Sequence, residues 1–515
     1  MAAWVLVTRW YPMMFDYPLL EPSHPQEAKD MARWAFDLSE RFRSPVFIRS
    51  VTRISHATGL VKIGDIQRGS RRARLDNTLE FSPFPQMDKH RRAKEKLDAI
   101  AQSLEQSSFN TYSGPQNPRL IVVCSGSGWL YAREAIELLQ VEDVVGVVKL
   151  GITWPLPTGF IRKCIVPGSD LLVVEETDPF IETRLKAGLY GEFASGAHPL
   201  VLGRDSGHIC KTGELNTDRA AEGISKALHL EYRPRSIEYD EKAREYAAEM
   251  TVPRNLAWCP GCPHRASHWI LKKVLMLADD GEGFVNGDMG CSGIDIMAGG
   301  QRITRTQAAM GSSCGLTSGL GKLRQFGFSQ LAVATLGDST FFHAAIPPII
   351  NAVHHGAEAL FIILDNNATA MTGFQPHPGI PLDAMGNETP RVDIERVCSA
   401  MGCLVEVADP FDPTDVRQRF DSLVARRGVK ILILRRTCAL LALRREGPQY
   451  RVRVDGDLCV GQDCGCAGYC TRVFKCPAMS CGDVDGKMQI DEALCTGCGF
   501  CVNVCPHGAI VREKR

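Results

Sequence analysis

Past residue 24, apolar side chains recur at Ala28, Met31, Ala32, Ala35, Leu38 and Phe42, a three-to-four spacing that lines one face of a helix. Ser23 and Gln26 stand before that face as an N-cap and its capping-box partner. The period then changes. Residues 45–51 read as a strand, and from Arg119 short, wholly apolar runs alternate with amphipathic ones. The pattern predicts a strand over 120–124, a tight turn at Ser125-Gly126-Ser127-Gly128, a helix over 131–139, and strands over 144–150 and 171–175. A second series begins later, with a strand over 331–336, a helix over 344–355 and a strand over 360–364. Strands apolar on both faces and separated by helices predict parallel, doubly wound α/β sheets. Residues 65–117, charged and mixed with a helical-looking 89–104, read as a connecting excursion. The charged stretch 232–250 reads as a linker.

Length fits several such units: 515 residues correspond to three or four domains at about 150 residues each. Lys+Arg and Asp+Glu both total 59, and this zero net charge argues against a nucleic-acid partner. No apolar run approaches the ~18 residues of a membrane span, and Thr8, Arg9, Pro12 and Asp16 interrupt any signal-peptide core. With 20 cysteines and no export signal, the expected compartment is the cytoplasm.

Half of those cysteines lie beyond Leu458. Cys495, Cys498, Cys501 and Cys505-Pro506 have the C-x2-C-x2-C-x3-C-P spacing of a bacterial-type [4Fe–4S] motif. A zinc knuckle would use two separated pairs of ligands, and four cysteines this close together pair poorly as disulfides. Cys476-Pro477 ends a second, irregular cysteine-rich stretch, which points to an internal duplication and a small two-cluster ferredoxin-like α+β tail over 450–515. Crossed ligation then gives Cys495, Cys498, Cys501 and Cys476 to one cubane. The other takes Cys505, Cys459, Cys470 and either Cys464 or Cys466, with Cys481 expected to be a bystander. The Gly126-x-Gly128 pair lacks the third glycine and ribose acid of a dinucleotide site and reads as a plain strand–turn–helix.

Gly337-Asp338-Ser339 follows one predicted strand and Asn366-Asn367 the next, with 26 residues between Ser339 and Asn366. A carboxylate, an amide oxygen and a backbone carbonyl at the ends of neighbouring parallel strands suit Mg²⁺ and a diphosphate. The spacing resembles the thiamine diphosphate signature, with Ser339 in place of the usual third glycine. That resemblance makes Asp338 and Asn366 side-chain ligands of Mg²⁺ and Ala368 a carbonyl ligand. Gly337 and Ser339 then lie against the diphosphate. An ordinary βαβ unit is the bland alternative.

Further words occur in order: Trp258-Cys259-Pro260-Gly261-Cys262-Pro263-His264-Arg265, Gly287-Asp288-Met289-Gly290-Cys291, Gly337–His343 and Thr369–Gly379. Together they resemble the α subunits of the indolepyruvate:ferredoxin oxidoreductase family, thiamine-dependent 2-oxoacid:ferredoxin oxidoreductases. The likeness runs from about Tyr17 to the C-terminus. It implies a pyrimidine-binding-domain remnant over 1–64, a connecting segment over 65–117, a transketolase C-terminal-like domain over 118–235 and a thiamine diphosphate/Mg-binding domain over 251–445. It also implies a proximal cluster on Cys259, Cys262, Cys291 and Cys438, for which a zinc site or simple buried thiols are the alternatives. Cys314, in a run of small residues, is expected to pack rather than to ligate. His343 and His377 flank the metal motifs as candidates for proton handling, or for structural and phosphate-binding roles. Phe341, Phe342, Met371 and Phe374 are either an aryl pocket or core.

The implied reaction is oxidative decarboxylation of an aryl 2-oxoacid, with coenzyme A collecting the acyl group and electrons leaving through two or three clusters to ferredoxin. A β subunit completes the hetero-oligomer. In that family a full pyrimidine-binding domain, carrying a glutamate for the aminopyrimidine ring, precedes the matched region. The chain alone is therefore expected to be weakly active or inactive. Two further readings stay open: an electron-transfer subunit with a vestigial thiamine fold, and an oxidoreductase for another 2-oxoacid such as pyruvate.

Overall fold

Residues 120–125 and 145–150 are buried at every position, which explains why they run nearly all apolar without alternation, Lys149 being the charged exception. In the computed structural model, which describes residues 8–65, 84–189, 199–251, 255–280, 282–464, 468–482 and 486–515, the chain divides into two units, Met1–Thr251 and Val252–Arg515.

In the first unit a five-stranded sheet runs Thr111–Ser113, Val145–Leu150, Leu120–Ser125, Asp170–Val174, Val201–Leu202, parallel except at the first strand. Ala132, Ala135 and Ile136 of helix Ser127–Leu139, with Ile224 and Leu228 of helix Thr217–Leu228, pack on one face. Ile161, Phe180, Ile181 and Leu185 pack on the other. Gly128 is explained by this packing: a Cβ there would lie 2.5 Å from the Val174 carbonyl oxygen, so only glycine lets the helix approach the sheet.

Several local expectations shift. The first long helix is Pro25–Phe42, with His24 rather than Ser23 as N-cap. The capping carboxylate is Glu27, not Gln26; its Oε2 accepts from Ser23 N–H at 2.7 Å and from Ser23 Oγ at 2.5 Å. Glu27 also meets the buried ammonium of Lys149, and this ion pair turns it inward while Gln26 bonds to Asp30. The strand expected over 45–51 shrinks to Phe47–Ile48, both exposed. The stretch read as a connection holds helix Gln86–Leu104, whose Ile100 and Leu104 bury themselves with Leu20, Met31 and Leu38. It also supplies the edge strand Thr111–Ser113. The charged linker is helix Ile237–Met250, with no buried residue.

The second unit is built on a six-stranded parallel sheet in the order Thr304–Gln307, Phe284–Gly287, Ala332–Gly337, Ala359–Asp365, Val429–Arg435, Leu404–Ala408. The helix after Ala332–Gly337 begins at Asp338, earlier than its apolar pattern announced. It passes through a π-helical turn, Phe341–Ala345, before Ile346–His354. The tail forms two antiparallel pairs, Tyr450–Val454 with Ile510–Lys514 and Met479–Cys481 with Met488–Ile490. Phe474, Phe500 and Val504 of this tail share one core with Ala266, Trp269 and Ile270 of helix Pro263–Ala278. Among the described residues no helix is long and apolar enough to cross a membrane.

Candidate functional site

Gly337 stands opposite Leu364 in the parallel ladder, so the loops leaving these two strands start side by side. Asp338, nearly fully buried, organises them. Its Oδ1 accepts from Ser339 N–H at 2.8 Å, and its Oδ2 accepts from the N–H groups of Asn366 at 3.1 Å and Ala368 at 3.3 Å. Asn366 Oδ1 accepts from Ala368 N–H at 3.3 Å. Asn367 bends the loop through the left-handed region at φ 58°, which asparagine tolerates. The expected metal-loop residues are thus brought together.

His377 joins them. Its Nδ1 accepts from Gly379 N–H at 3.1 Å, which leaves the proton on Nε2. That Nε2 lies 3.2 Å from Asp338 Oδ2 without hydrogen-bonding geometry and is a buried donor with no partner. Its ring stacks on Phe342, with centroids 5.6 Å apart. His343 is exposed on the π-helical turn, so the two histidines are not equivalent. Phe341 is fully buried core, Met371 is exposed, and Phe374 lies under the Arg444 guanidinium. A Cβ on Gly337 would meet nothing within 4 Å. This open space beside a helix start, together with the unpartnered imidazole N–H, suits a diphosphate and its divalent ion.

A second cluster abuts the first. Cys438 donates its N–H to the Asn366 carbonyl oxygen at 2.9 Å, and Trp258 Nε1 donates to the Cys291 carbonyl oxygen at 2.7 Å. The Asp288 carboxylate, buried between Met289 N–H and Gly311 N–H, holds the loop that carries Cys291. Burial pushes the Cys262 thiol up to about 12 and Cys291 to about 11, and the charges of Cys438, Cys259 and Asp338 add to the latter. Burial, then Cys438, raises Cys259. Cys291 therefore feels Cys438 and Cys259, and Cys262 feels Cys291, so the four thiols lie in one neighbourhood. Among the described residues no three or more His, Cys, Asp or Glu side chains draw together around a single ion.

Two small pockets gather the tail thiols, the first also walled by Cys262, Arg265 and Phe411. Cys476, Cys495, Cys498 and Cys501 line the first, and Cys459, Cys464, Cys470 and Cys505 the second. This is the crossed grouping expected from the spacing. Cys466 lies outside the described residues. Cys481 is a fifth thiol at the second cavity, 3.4 Å from Thr471 Oγ1. Cys314 is core.

Two residues were not singled out from sequence. Arg265 donates to the carbonyl oxygens of Phe474, Lys475 and Trp258 and lines the first cavity beside Cys262 and Cys476. Burial lowers its pKa, while Cys476, Cys262, Cys259 and Cys498 counter that. It is a buried cation among sulfurs. His264 is buried; desolvation, then His268, lowers it to about 4 against the pull of Asp338, so it is neutral near the metal loop. Both sit in the Cys259–Arg265 stretch, but no spacing rule says which of its side chains turn inward.

The family description of thiamine pyrophosphate enzymes, C-terminal TPP binding domain, matches residues 288–433, and that of the 4Fe-4S binding domain matches residues 488–511. The chain is 36% identical to the indolepyruvate oxidoreductase subunit IorA of Archaeoglobus fulgidus, over 98% of this chain and 78% of that protein. Its identity to the subunits of the same name from Thermococcus kodakarensis and Pyrococcus abyssi is 34% in each case, over 98% of this chain and 79% of those proteins.

Proposed function

This chain belongs to the family of indolepyruvate oxidoreductase IorA subunits, and from that membership we propose that it oxidatively decarboxylates aryl 2-oxoacids, indolepyruvate and phenylpyruvate, to their aryl-acetyl-CoA products and passes the electrons to ferredoxin. It works with a β subunit. The observation that carries the reading is the single bond from Cys438 N–H to the Asn366 carbonyl, because it joins a thiamine-type metal loop to a sulfur-ligand loop.

Thiamine diphosphate bound here would supply an electron sink, and iron–sulfur clusters would supply single-electron carriage. Asp338, Asn366 and the Ala368 carbonyl hold Mg²⁺, while Gly337 and Ser339 leave room and N–H groups for the diphosphate. Buried His377 offers its Nε2 proton at this site, and exposed His343 exchanges protons with solvent. Phe342 fixes the His377 ring by stacking. Cys259, Cys262, Cys291 and Cys438 hold a proximal cluster, and the two tail cavities hold one cluster each. Cys262 also lines the first tail cavity, which makes the sulfur sites contiguous.

The test is substrate-dependent viologen reduction by the anaerobic complex with coenzyme A. Indolepyruvate and phenylpyruvate should outpace pyruvate in kcat/KM. Asp338→Ala should abolish turnover and release thiamine on gel filtration. Preference for pyruvate would move the substrate assignment, and absence of bound thiamine in the unmodified complex would overturn the enzyme reading.

A further inference from the structure

Helix Pro263–Ala278 and the cysteine-bearing turn Cys470–Phe474 leave an open groove between them, floored by Trp269 and walled by Tyr469, Val473 and Met276. Two ammonium groups sit on it. Lys273 Nζ lies 3.5 Å above the Trp269 ring and 5.7 Å from that of Tyr469, and desolvation lowers its pKa. Lys272 Nζ donates to the Gln301 carbonyl at 3.2 Å. Lys475, close enough to feel Lys272 and Arg302, donates to the carbonyls of Ala298 and Gly300. The hydrogen bonds of Lys272 and Lys475 thus go to neutral oxygens, and Lys475 feels the Asp295 carboxylate; among the described residues neither Lys272 nor Lys273 makes an ion pair, and these two carry the groove's free positive charge. Met276 and Leu277 remain 57% and 66% exposed at the groove edge. An exposed apolar patch rimmed by charge of one sign marks an interaction surface.

The position matters as much as the charge. Tyr469 and Val473 flank Cys470, a thiol of the second tail cavity. Trp269 packs edge-on against Phe474 and Phe500, which line the first. Anything seated in the groove is therefore one side-chain layer from the second sulfur site and two, Trp269 and then Phe474 or Phe500, from the first. We propose that this groove docks a small acidic one-electron carrier protein, with Lys272 and Lys273 pairing to its carboxylates and the Tyr469–Val473 wall facing its redox centre. This assignment rests on the electron-carrying reading of the tail. Carboxylates fit the Lys272 and Lys273 ammonium groups, whereas a basic partner would be repelled. A small, mainly electrostatic interface is also what transient redox pairs use.

The experiment measures binding apart from turnover. An acidic ferredoxin is titrated calorimetrically into the oxidised, cluster-loaded complex at low and high salt, with the complex as purified and with Lys272→Glu/Lys273→Glu. The variant should weaken binding about tenfold or more and lose most of the salt dependence of Kd, while viologen reduction stays unchanged. Equal Kd and equal salt dependence in both proteins would overturn the proposal. Because Lys273 packs on Trp269, the unmodified complex is also cross-linked to the carrier with a carbodiimide and mapped by peptide mass. Links at Lys272 or Lys273 support the groove, and links confined elsewhere, including the β subunit, refute it. If viologen reduction is absent throughout while the links form at the groove, the enzymatic reading fails and the docking site stands.

Discussion

The backbone N–H of Cys438 and the carbonyl oxygen of Asn366 are 2.9 Å apart. A turn bearing a candidate cluster ligand is thereby pinned to the loop bearing a candidate metal ligand. The two residues lie at the ends of neighbouring strands, Ala359–Asp365 and Val429–Arg435, paired in parallel register.

This bond keeps its geometry when the thiol is removed, so Cys438→Ala separates the two functions. Thiamine retention should persist, iron should fall by about four atoms per chain, and substrate-driven viologen reduction should drop at least tenfold. Unchanged iron in Cys438→Ala would show that this thiol is packing only.

Crossed ligation makes an asymmetric prediction. Cys476→Ala should deplete the cluster that shares its cavity with Cys495, Cys498 and Cys501, although Cys476 lies in the other sequence motif. Cys505→Ala should deplete the cluster of Cys459 and Cys470. Electron paramagnetic resonance of the reduced complexes distinguishes the two centres, and the opposite pattern would show that each motif completes its own cubane.

His377→Gln removes the Nε2 proton next to Asp338 and keeps a polar side chain. Turnover should fall by about one hundredfold, within the usual range for a positioned acid or base, with thiamine binding retained and the pH profile of kcat altered. His343→Gln, on the exposed turn, should change kcat far less. Equal effects of the two substitutions would remove the distinction drawn from burial.

Away from the site, Arg9 bridges Glu21 and Glu175 at 2.6 Å and 2.7 Å, all three buried. Burial by itself would raise the Glu21 carboxyl. The charges of Arg9 and Arg49, with hydrogen bonds from Arg9 and Thr153, outweigh it and hold Glu21 at about 2 against an ordinary 4.5. A carboxyl depressed in the folded state stabilises it fully above the unfolded pKa, so this contribution is present above about pH 4.5 and is lost as pH falls toward 2. Glu175, on the same guanidinium, is pushed the other way, up to about 7, because burial there outweighs Arg9. Hydrogen exchange of the segment around Glu21, corrected for intrinsic pH dependence, should show protection falling over that window. In Glu21→Gln the protection should be weaker at neutral pH and flat through the same window.

Much of the chemistry is legible in one dimension because its geometry is local. Cys495, Cys498 and Cys501 reach one cavity through the short turn that joins them, and Gly337-Asp338 and Asn366 mark the ends of strands whose apolar runs announce themselves. Boundaries were less legible where a long-range contact decides them. Ser23 and Gln26 satisfy the capping pattern, but the buried Lys149 recruits Glu27 from 122 residues away and sets the helix start. The same holds for Thr111–Ser113, whose polar residues become a strand only by pairing with Val145–Leu150.

The sequence by itself determined the fold class and the family and marked the candidate thiol and metal-loop residues, because periodicity and ligand spacing are properties of neighbours along the chain. Tertiary packing alone decided that Cys438 touches the Asn366 loop and that His264 comes under the influence of Asp338. It also buried His377 while leaving His343 in solvent, and set Lys272 and Lys273 on a groove beside Cys470. Those relationships depend on which elements the sheet and the shared Trp269–Phe474–Phe500 core bring together, and no spacing along the chain encodes them.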